Sequence, residues 1–280
     1  MTPVELYNDV CRDCARRITQ RYSTSFSLGI RLFDRSLRDP IYAIYGFVRF
    51  ADEIVDTFHE QDKATLLEEF RQSTYRAIEQ RLSLNPVLHA FQQTVHDYGI
   101  ERDLIDAFLH SMELDIEQRS YERQLYDTYI YGSAEVVGLM CLRVFTLNEP
   151  ALYDELAPAA KRLGAAFQKV NFLRDIASDF HDRGRVYFPG VTFGEFSERE
   201  KRQIEAEIAE DFDAALIGIR GLPQSSRKGV HCAYVYFRNL LHRIQATEAR
   251  RIATTRIRVP DSAKLRLMMG TIVRHQLNLL

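Results

Sequence analysis

Three observations predict an all-α fold for this chain. Apolar residues recur at steps of three and four through most of its length. No alternating strand pattern of useful length interrupts them. Proline, glycine and asparagine fall between the periodic stretches, as helix punctuation does. Together they divide the sequence into about ten helices, arranged around a central cavity in one unit spanning residues 1–280.

The first element is Val4 to Thr19, with Val4, Leu6, Tyr7, Val10, Cys14 and Ile18 as its apolar positions. Tyr22-Ser23-Thr24-Ser25-Phe26-Ser27 then packs hydroxyls into a short segment, read as a cap or turn whose hydroxyls and N–H groups suit phosphate oxygens. Pro40 to His59 follows, with proline near the first helical position. Further helices are expected over Asp62–Leu82, Pro86–Tyr98, Glu101–Arg119, Tyr126–Leu147, Leu152–His181, Ser197–Gly218, Ser226–Thr254 and Ala263–Val273. Breaks are expected at Asn85-Pro86, Asn148-Glu149-Pro150, Asp182-Arg183-Gly184, Gly221-Leu222-Pro223 and Val259-Pro260. Arg185 to Phe193 is the best candidate for an extended piece.

The chain has 280 residues, 46% of them hydrophobic, and a net charge of −2. Its basic residues are scattered, so neither the overall field nor any motif favours nucleic acid as a partner. The apolar stretch Val136 to Leu147 is broken by Arg143 and too short to span a bilayer. The first residues lack a basic-then-apolar leader. Of the four cysteines, Cys11 and Cys14 form an isolated C-x-x-C, read as two reduced thiols on one helix face. A cytoplasmic protein is expected, with peripheral contact with a membrane where greasy substrates are collected.

Two D-x-x-x-D motifs carry the chemistry. Asp52 and Asp56 share a helix face with Tyr45 and Arg49, at steps of four, three and four. Gln168, Asn171, Asp175 and Asp179 form a second stripe, on a helix otherwise apolar nearly all round, with Arg174 one step aside. Such a helix is buried, and a buried polar stripe needs partners. Clustered carboxylates repel unless cations lie between them. Oxygen donors without clustered histidine or cysteine point to Mg²⁺, which commonly shares its shell with substrate phosphates. A solvated acidic face for the first stripe and an internal hydrogen-bond network for the second are the alternatives. Tyr129, Tyr131, Gly132, Ala134 and Gly138 put small residues on part of another helix, making room for a chain-like ligand or for close helix packing.

In combination, these segments resemble the squalene/phytoene synthase family over nearly the whole chain. The pieces are Ser23-Thr24-Ser25-Phe26, Arg49-Phe50-Ala51-Asp52-Glu53-Ile54-Val55-Asp56, Tyr129-Ile130-Tyr131-Gly132-Ser133-Ala134, Gln168-x-x-Asn171-Phe172-Leu173-Arg174-Asp175-x-x-x-Asp179 and Arg183-Gly184-Arg185-Val186-Tyr187-Phe188-Pro189. The resemblance implies an isoprenoid-synthase-type helical bundle with a deep apolar cavity. It implies that Asp52, Asp56, Asn171, Asp175 and Asp179 hold two to three Mg²⁺ ions together with diphosphate. Ser23, Ser25, Phe26, Tyr45, Arg49, Gln168, Arg174, Tyr236 and Arg256 would contact substrate, and Tyr129 would sit by the reacting carbons. Arg258 is the alternative to Arg256. Ser133-Ala134-Glu135 departs from the Val-Ala-Gly often found there, and Thr24 replaces a basic residue of some relatives.

The implied activity joins two geranylgeranyl diphosphates head to head, through a cyclopropyl diphosphate, to phytoene, opening carotenoid biosynthesis. A sibling reaction on farnesyl diphosphate, and a non-catalytic relative of the same fold, are the rival readings. NADPH is not expected as a cofactor. Prenyl diphosphates are the expected partners, with membrane contact or hand-off to a desaturase.

Overall fold

The computed structural model describes residues 1–118, 120–192 and 196–276. Among them are thirteen α-helices, one π-helical turn and no β-strand beyond an isolated parallel bridge between Ser120 and Val186. The helices are α1 (Pro3–Tyr22), α2 (Thr24–Ile30), α3 (Arg35–Asp56), α4 (Lys63–Gln80), α5 (Pro86–Tyr98), α6 (Arg102–Glu117) and α7 (Arg123–Ile130). The π turn Tyr131–Glu135 leads into α8 (Val136–Phe145), α9 (Pro150–Arg183), α10 (Glu198–Gly221), α11 (Gln224–Gln245), α12 (Ala249–Ile252) and α13 (Asp261–Gln276).

Most helix ends follow from local chemistry. Thr2 and Ser197 each form a reciprocal capping box, with Glu5 and Glu200. The Asn85 side chain accepts from the N–H groups of Val87 and Leu88, and Pro86 occupies the first turn of α5. Gly184 ends α9 at φ 65°, a left-handed cap that favours glycine.

The expected helices are present, with four differences, and of the extended piece expected from Arg185 only Val186 forms a bridge before the chain turns at Pro189 and Gly190. The Ser23–Ser27 turn is the start of a helix, because Ser23 caps α2 by accepting from the Phe26 N–H at 3.2 Å. Helix α3 begins at Arg35, so Pro40 lies inside it rather than near its first position. The expected helix Tyr126–Leu147 is two α-helices joined by the π turn. The expected helix Ser226–Thr254 breaks after Gln245, where the Ala246 and Thr247 N–H groups turn back onto His242 and Ile244 carbonyls. Arg119 and Phe193, the expected ends of a helix and of the extended piece, lie outside the described residues.

Two buried clusters of apolar side chains flank the cavity. In the first, Phe47 of α3 is fully buried and stacks on Phe91 at 4.0 Å, with Phe70 at 5.6 Å and Phe108 at 5.3 Å. Each aromatic pair adds roughly 0.5–1.5 kcal/mol beyond burial, which fixes the rotation of α3. Helix α9 is pinned to α10 by charge instead. Buried Lys169 contacts Asp211 at 2.8 Å and Glu207 at 2.5 Å, and Arg162 reaches Asp211 at 2.8 Å. Phe47 lies between Tyr45 and Arg49 in the sequence and Lys169 directly follows Gln168, so both anchors set the rotation at which the polar stripes face one common space.

Candidate active site

That space is a cavity of about 940 Å³. Every site residue expected from the sequence lines it: Ser23, Ser25, Phe26, Tyr45, Arg49, Asp52, Asp56, Tyr129, Gln168, Asn171, Arg174, Asp175, Asp179, Tyr236 and Arg256. Arg258 lines it as well. The polar stripes occupy the later turns of α3 and α9. From Asp175 back to Leu156, another lining residue, helix α9 runs about 28 Å at 1.5 Å per residue. The remote part is lined by apolar side chains, among them Leu142, Leu156, Leu222 and the rings of Phe33 and Phe145, which pack on each other at 5.1 Å.

The carboxylates are engaged with arginines. Arg49 reaches Asp52 at 3.3 Å, also pairs with Glu53, and lies 4.3 Å over the Tyr22 ring. Arg174 forks onto Asp175 with contacts of 3.0 and 2.5 Å, and Arg256 reaches the same carboxylate at 2.7 Å. Burial works against the charge on Arg174, yet the bond to Asp175 holds it above the usual guanidinium range. Burial pushes the Tyr45 phenol up to about 12, against the pull of Arg49. A cluster of guanidinium groups beside carboxylates on two facing helices suits an anion bridged to cations, since arginine forks onto phosphate as readily as onto carboxylate.

A second polar layer was not legible as a site. Asp115 of α6 is 4% exposed and accepts hydrogen bonds from Tyr129 at 2.7 Å, Tyr187 at 3.0 Å and Tyr121 at 3.3 Å. Arg185, 5% exposed, lies 3.5 Å from Asp115 and 3.3 Å from Asp56. Burial pushes the Asp115 carboxyl above the usual carboxylate range, and Arg185 and the phenols pull it back. Arg185 thus ties the first aspartate motif to the tyrosine cluster. The available signal was weak: Asp115 falls on the same helix face as Phe108 and Met112, where a carboxylate needs donors, but it is flanked in the sequence by Glu113 and Glu117.

Aromatic rings cover two walls. Phe26 packs on Tyr45, Phe167 and Phe237 at 6.0, 6.4 and 5.9 Å. Tyr129 lies 5.8 Å from Phe172, which stacks on Tyr187 at 3.9 Å. Such faces attract cationic carbon.

The residues present fit a divalent metal in donor chemistry. The Asn171 Oδ1 is buried with no hydrogen-bond partner, and it belongs to the oxygen-bearing stripe of α9. Among the described residues, no group of three or more His, Cys, Asp or Glu side chains is gathered closely enough to hold an ion by itself. The protein donors are therefore divided between α3 and α9, as for an ion that draws the rest of its shell from water and phosphate.

Fold and site define an all-α enzyme with oxygen donors and arginines on one part of a long apolar cavity. The chain belongs to the squalene/phytoene synthase family, whose model matches residues 19–263. It is a prenyltransferase, and members of this family use a divalent metal with diphosphate substrates. It is 30% identical over 259 residues to a 15-cis-phytoene synthase of Synechococcus elongatus, covering 82% of each chain. The crystal structure of a dehydrosqualene synthase in complex with a ligand has a TM-score of 0.83 at 21% identity, covering 98% of this chain and 99% of that one. Squalene synthase HpnC from Alicyclobacillus acidocaldarius has a TM-score of 0.77 at 21% identity, covering 88% and 96%. These two similarities establish the isoprenoid-synthase-like fold. Among the described residues no helix is long and apolar enough to cross a membrane.

Proposed function

We propose that this chain, acting as one unit over residues 1–280, condenses two geranylgeranyl diphosphates head to head into phytoene, the first committed step of carotenoid biosynthesis. The observation that carries this reading is the joining of two oxygen-bearing stripes to a long apolar cavity, in a chain similar to phytoene synthases.

In this reading Asp52, Asp56, Asn171, Asp175 and Asp179 hold two to three Mg²⁺ ions, which supply Lewis-acid neutralisation of the leaving diphosphate. Arg49, Arg174 and Arg256 exchange part of their carboxylate contacts for phosphate oxygens, forming charge-assisted bonds. Ser23 and Ser25 contribute hydroxyls to the same anion, and Tyr45, Gln168 and Tyr236 line its approach. The first allylic cation is trapped by the double bond of the second substrate, and loss of one proton from the resulting cation closes the ring of the cyclopropyl diphosphate. That species loses its diphosphate, rearranges, and releases one proton to give the conjugated triene. Tyr129 and Phe26 face the cationic carbons, and the apolar wall excludes the water that would quench them. No hydride is consumed, so NADPH is not required.

A sibling reaction on farnesyl diphosphate is the second reading, favoured by the overall similarity to a dehydrosqualene synthase. The test is to incubate purified protein and Mg²⁺ with either substrate, with and without NADPH, and identify the hydrocarbon by mass and ultraviolet spectrum. A C40 triene formed without NADPH supports phytoene synthase. A C30 product moves the activity to the shorter substrate.

A further inference from the structure

Helix α13 packs on α11 and α2. It is continuous with a stretch of cavity wall formed by Arg256, Arg258, Val259, Pro260 and Lys264. Small and apolar side chains make much of its joint with α11. Ala263 and Thr271 are buried, Leu267 packs against the second core cluster, and the Cys232 thiol of α11 bonds to Thr271. One turn of α13 beyond lies a pair of histidines. His231 of α11 is 5% exposed and its Nδ1 has no hydrogen-bond partner. The Nε2 of His275 on α13 is also buried without a partner, and the two rings are 5.3 Å apart at 62°.

A buried polar nitrogen ordinarily has a partner. Here the charges that act on the two rings are basic: His275 and Arg274 on His231, Lys228 and Arg227 on His275. Helix α2 carries no ionisable side chain. From α10, Asp213 and Arg220 act on Tyr234, whose ring stacks on His231 at 6.0 Å, and Asp213 itself pairs with Arg238 at 3.4 Å. From α9, Arg174 acts on α11 at Tyr236. Among the described residues, therefore, no acid is placed to neutralise a proton taken up by the pair.

We infer that the His231–His275 pair is a pH-sensitive latch, holding α13 on α11 while both rings are neutral and releasing it when either is protonated. Protonation adds a cation to a basic joint closed to water, where repulsion is strong. Release returns the charged ring to solvent. Burial, then His275 and Arg274, lower the pKa of His231 from 6.5 to about 4. The closed joint thus binds this proton less readily than the open one, and opening is favoured as pH falls between those values. Because the cavity wall is continuous with α13, release also loosens Arg256, which reaches Asp175 at 2.7 Å. The latch stands on the joint alone, and its effect on turnover rests on the proposed condensation.

The test is hydrogen–deuterium exchange of the full chain without substrate at pH 7 and pH 5, corrected for the intrinsic pH dependence of exchange. Peptides from α13 are compared with peptides from α5, whose Leu88, Phe91 and Val95 belong to the first core cluster. In wild type, α13 is expected to lose about tenfold in protection at pH 5 relative to α5. The double variant His231→Leu, His275→Leu should keep α13 protected at both pH values. His275→Leu alone, at the less buried ring, should reduce the loss, and it decides the matter if the double variant does not fold. Turnover should fall at pH 5 in wild type more than in the double variant. No turnover in wild type at pH 7 would sink the condensation and leave the exchange result to judge the latch. Unchanged α13 protection in wild type at pH 5, equal losses in α13 and α5, or the same loss in the variants would each overturn the inference.

Discussion

The phenol of Tyr129 donates a 2.7 Å hydrogen bond to the carboxylate of Asp115, a residue 14 positions earlier on a different helix. The bond joins an aromatic wall of the cavity to a fully internal charge. Through Arg185 the same carboxylate is linked to Asp56. The tyrosine, the buried acid and the first aspartate motif therefore act as one mechanical unit.

Replacing Tyr129 with phenylalanine leaves Asp115 short of one donor while keeping the ring in place. The expected cost is about 1–3 kcal/mol of stability, measured by urea unfolding. Asp115→Asn is expected to cost on the order of 3 kcal/mol, because buried Arg185 loses a charged partner. Both variants are expected to release more of the cyclopropyl diphosphate intermediate relative to hydrocarbon. An unchanged product ratio in both would remove the Asp115 layer from the catalytic unit.

Asp52→Ala and Asp175→Ala are expected to lower turnover by at least about two orders of magnitude with the helical circular dichroism retained. Chelating divalent metal from the wild type should abolish turnover, and adding Mg²⁺ back should restore it. Either variant turning over at the wild-type rate would contradict the assignment of the two stripes as the metal and diphosphate site.

Gly164 of α9 faces the π turn so closely that an added Cβ would lie 2.5 Å from the Ala134 carbonyl oxygen. Gly164→Ala must push α9 away from that turn. A loss of about 1–3 kcal/mol is expected, read as a lower urea midpoint with an unchanged slope.

His231 of α11 is buried, its Nδ1 has no hydrogen-bond partner, and its ring lies 5.3 Å from that of His275 on α13. Burial, then His275 and Arg274, pull its pKa from 6.5 down to about 4. The folded state therefore binds this proton less readily than the unfolded chain, and the stability present above pH 6.5 is lost as pH falls toward 4. The drop in melting temperature between pH 7 and pH 5 should be several degrees smaller in His231→Leu than in wild type. Equal drops would show that His231 does not contribute to the acid sensitivity.

What the sequence disclosed depended on spacing. The stripes on α3 and α9 were legible because residues four apart share a helix face, and the apolar neighbours showed those helices to be buried. The Asp115 layer was hidden because its parts come from α6, α7 and the segment after α9, which no periodicity connects. Arg185 and Tyr187 appeared only within the R-G-R-x-Y-x-P tail, with nothing local to say that they point at Asp115. The π turn was equally silent. Its cause is tertiary, since Gly132 sits where a Cβ would lie 2.4 Å from the Ala107 carbonyl of α6, and α-helix and π turn share the same apolar pattern.

The central claim, head-to-head condensation of two identical substrates, has a direct stoichiometric test. Purified protein, Mg²⁺ and geranylgeranyl diphosphate would be allowed to react without NADPH, and released diphosphate counted against hydrocarbon formed. Two diphosphates per C40 triene are expected. One diphosphate per product, with the other retained on a longer chain, would mean a head-to-tail reaction and would contradict the proposed function.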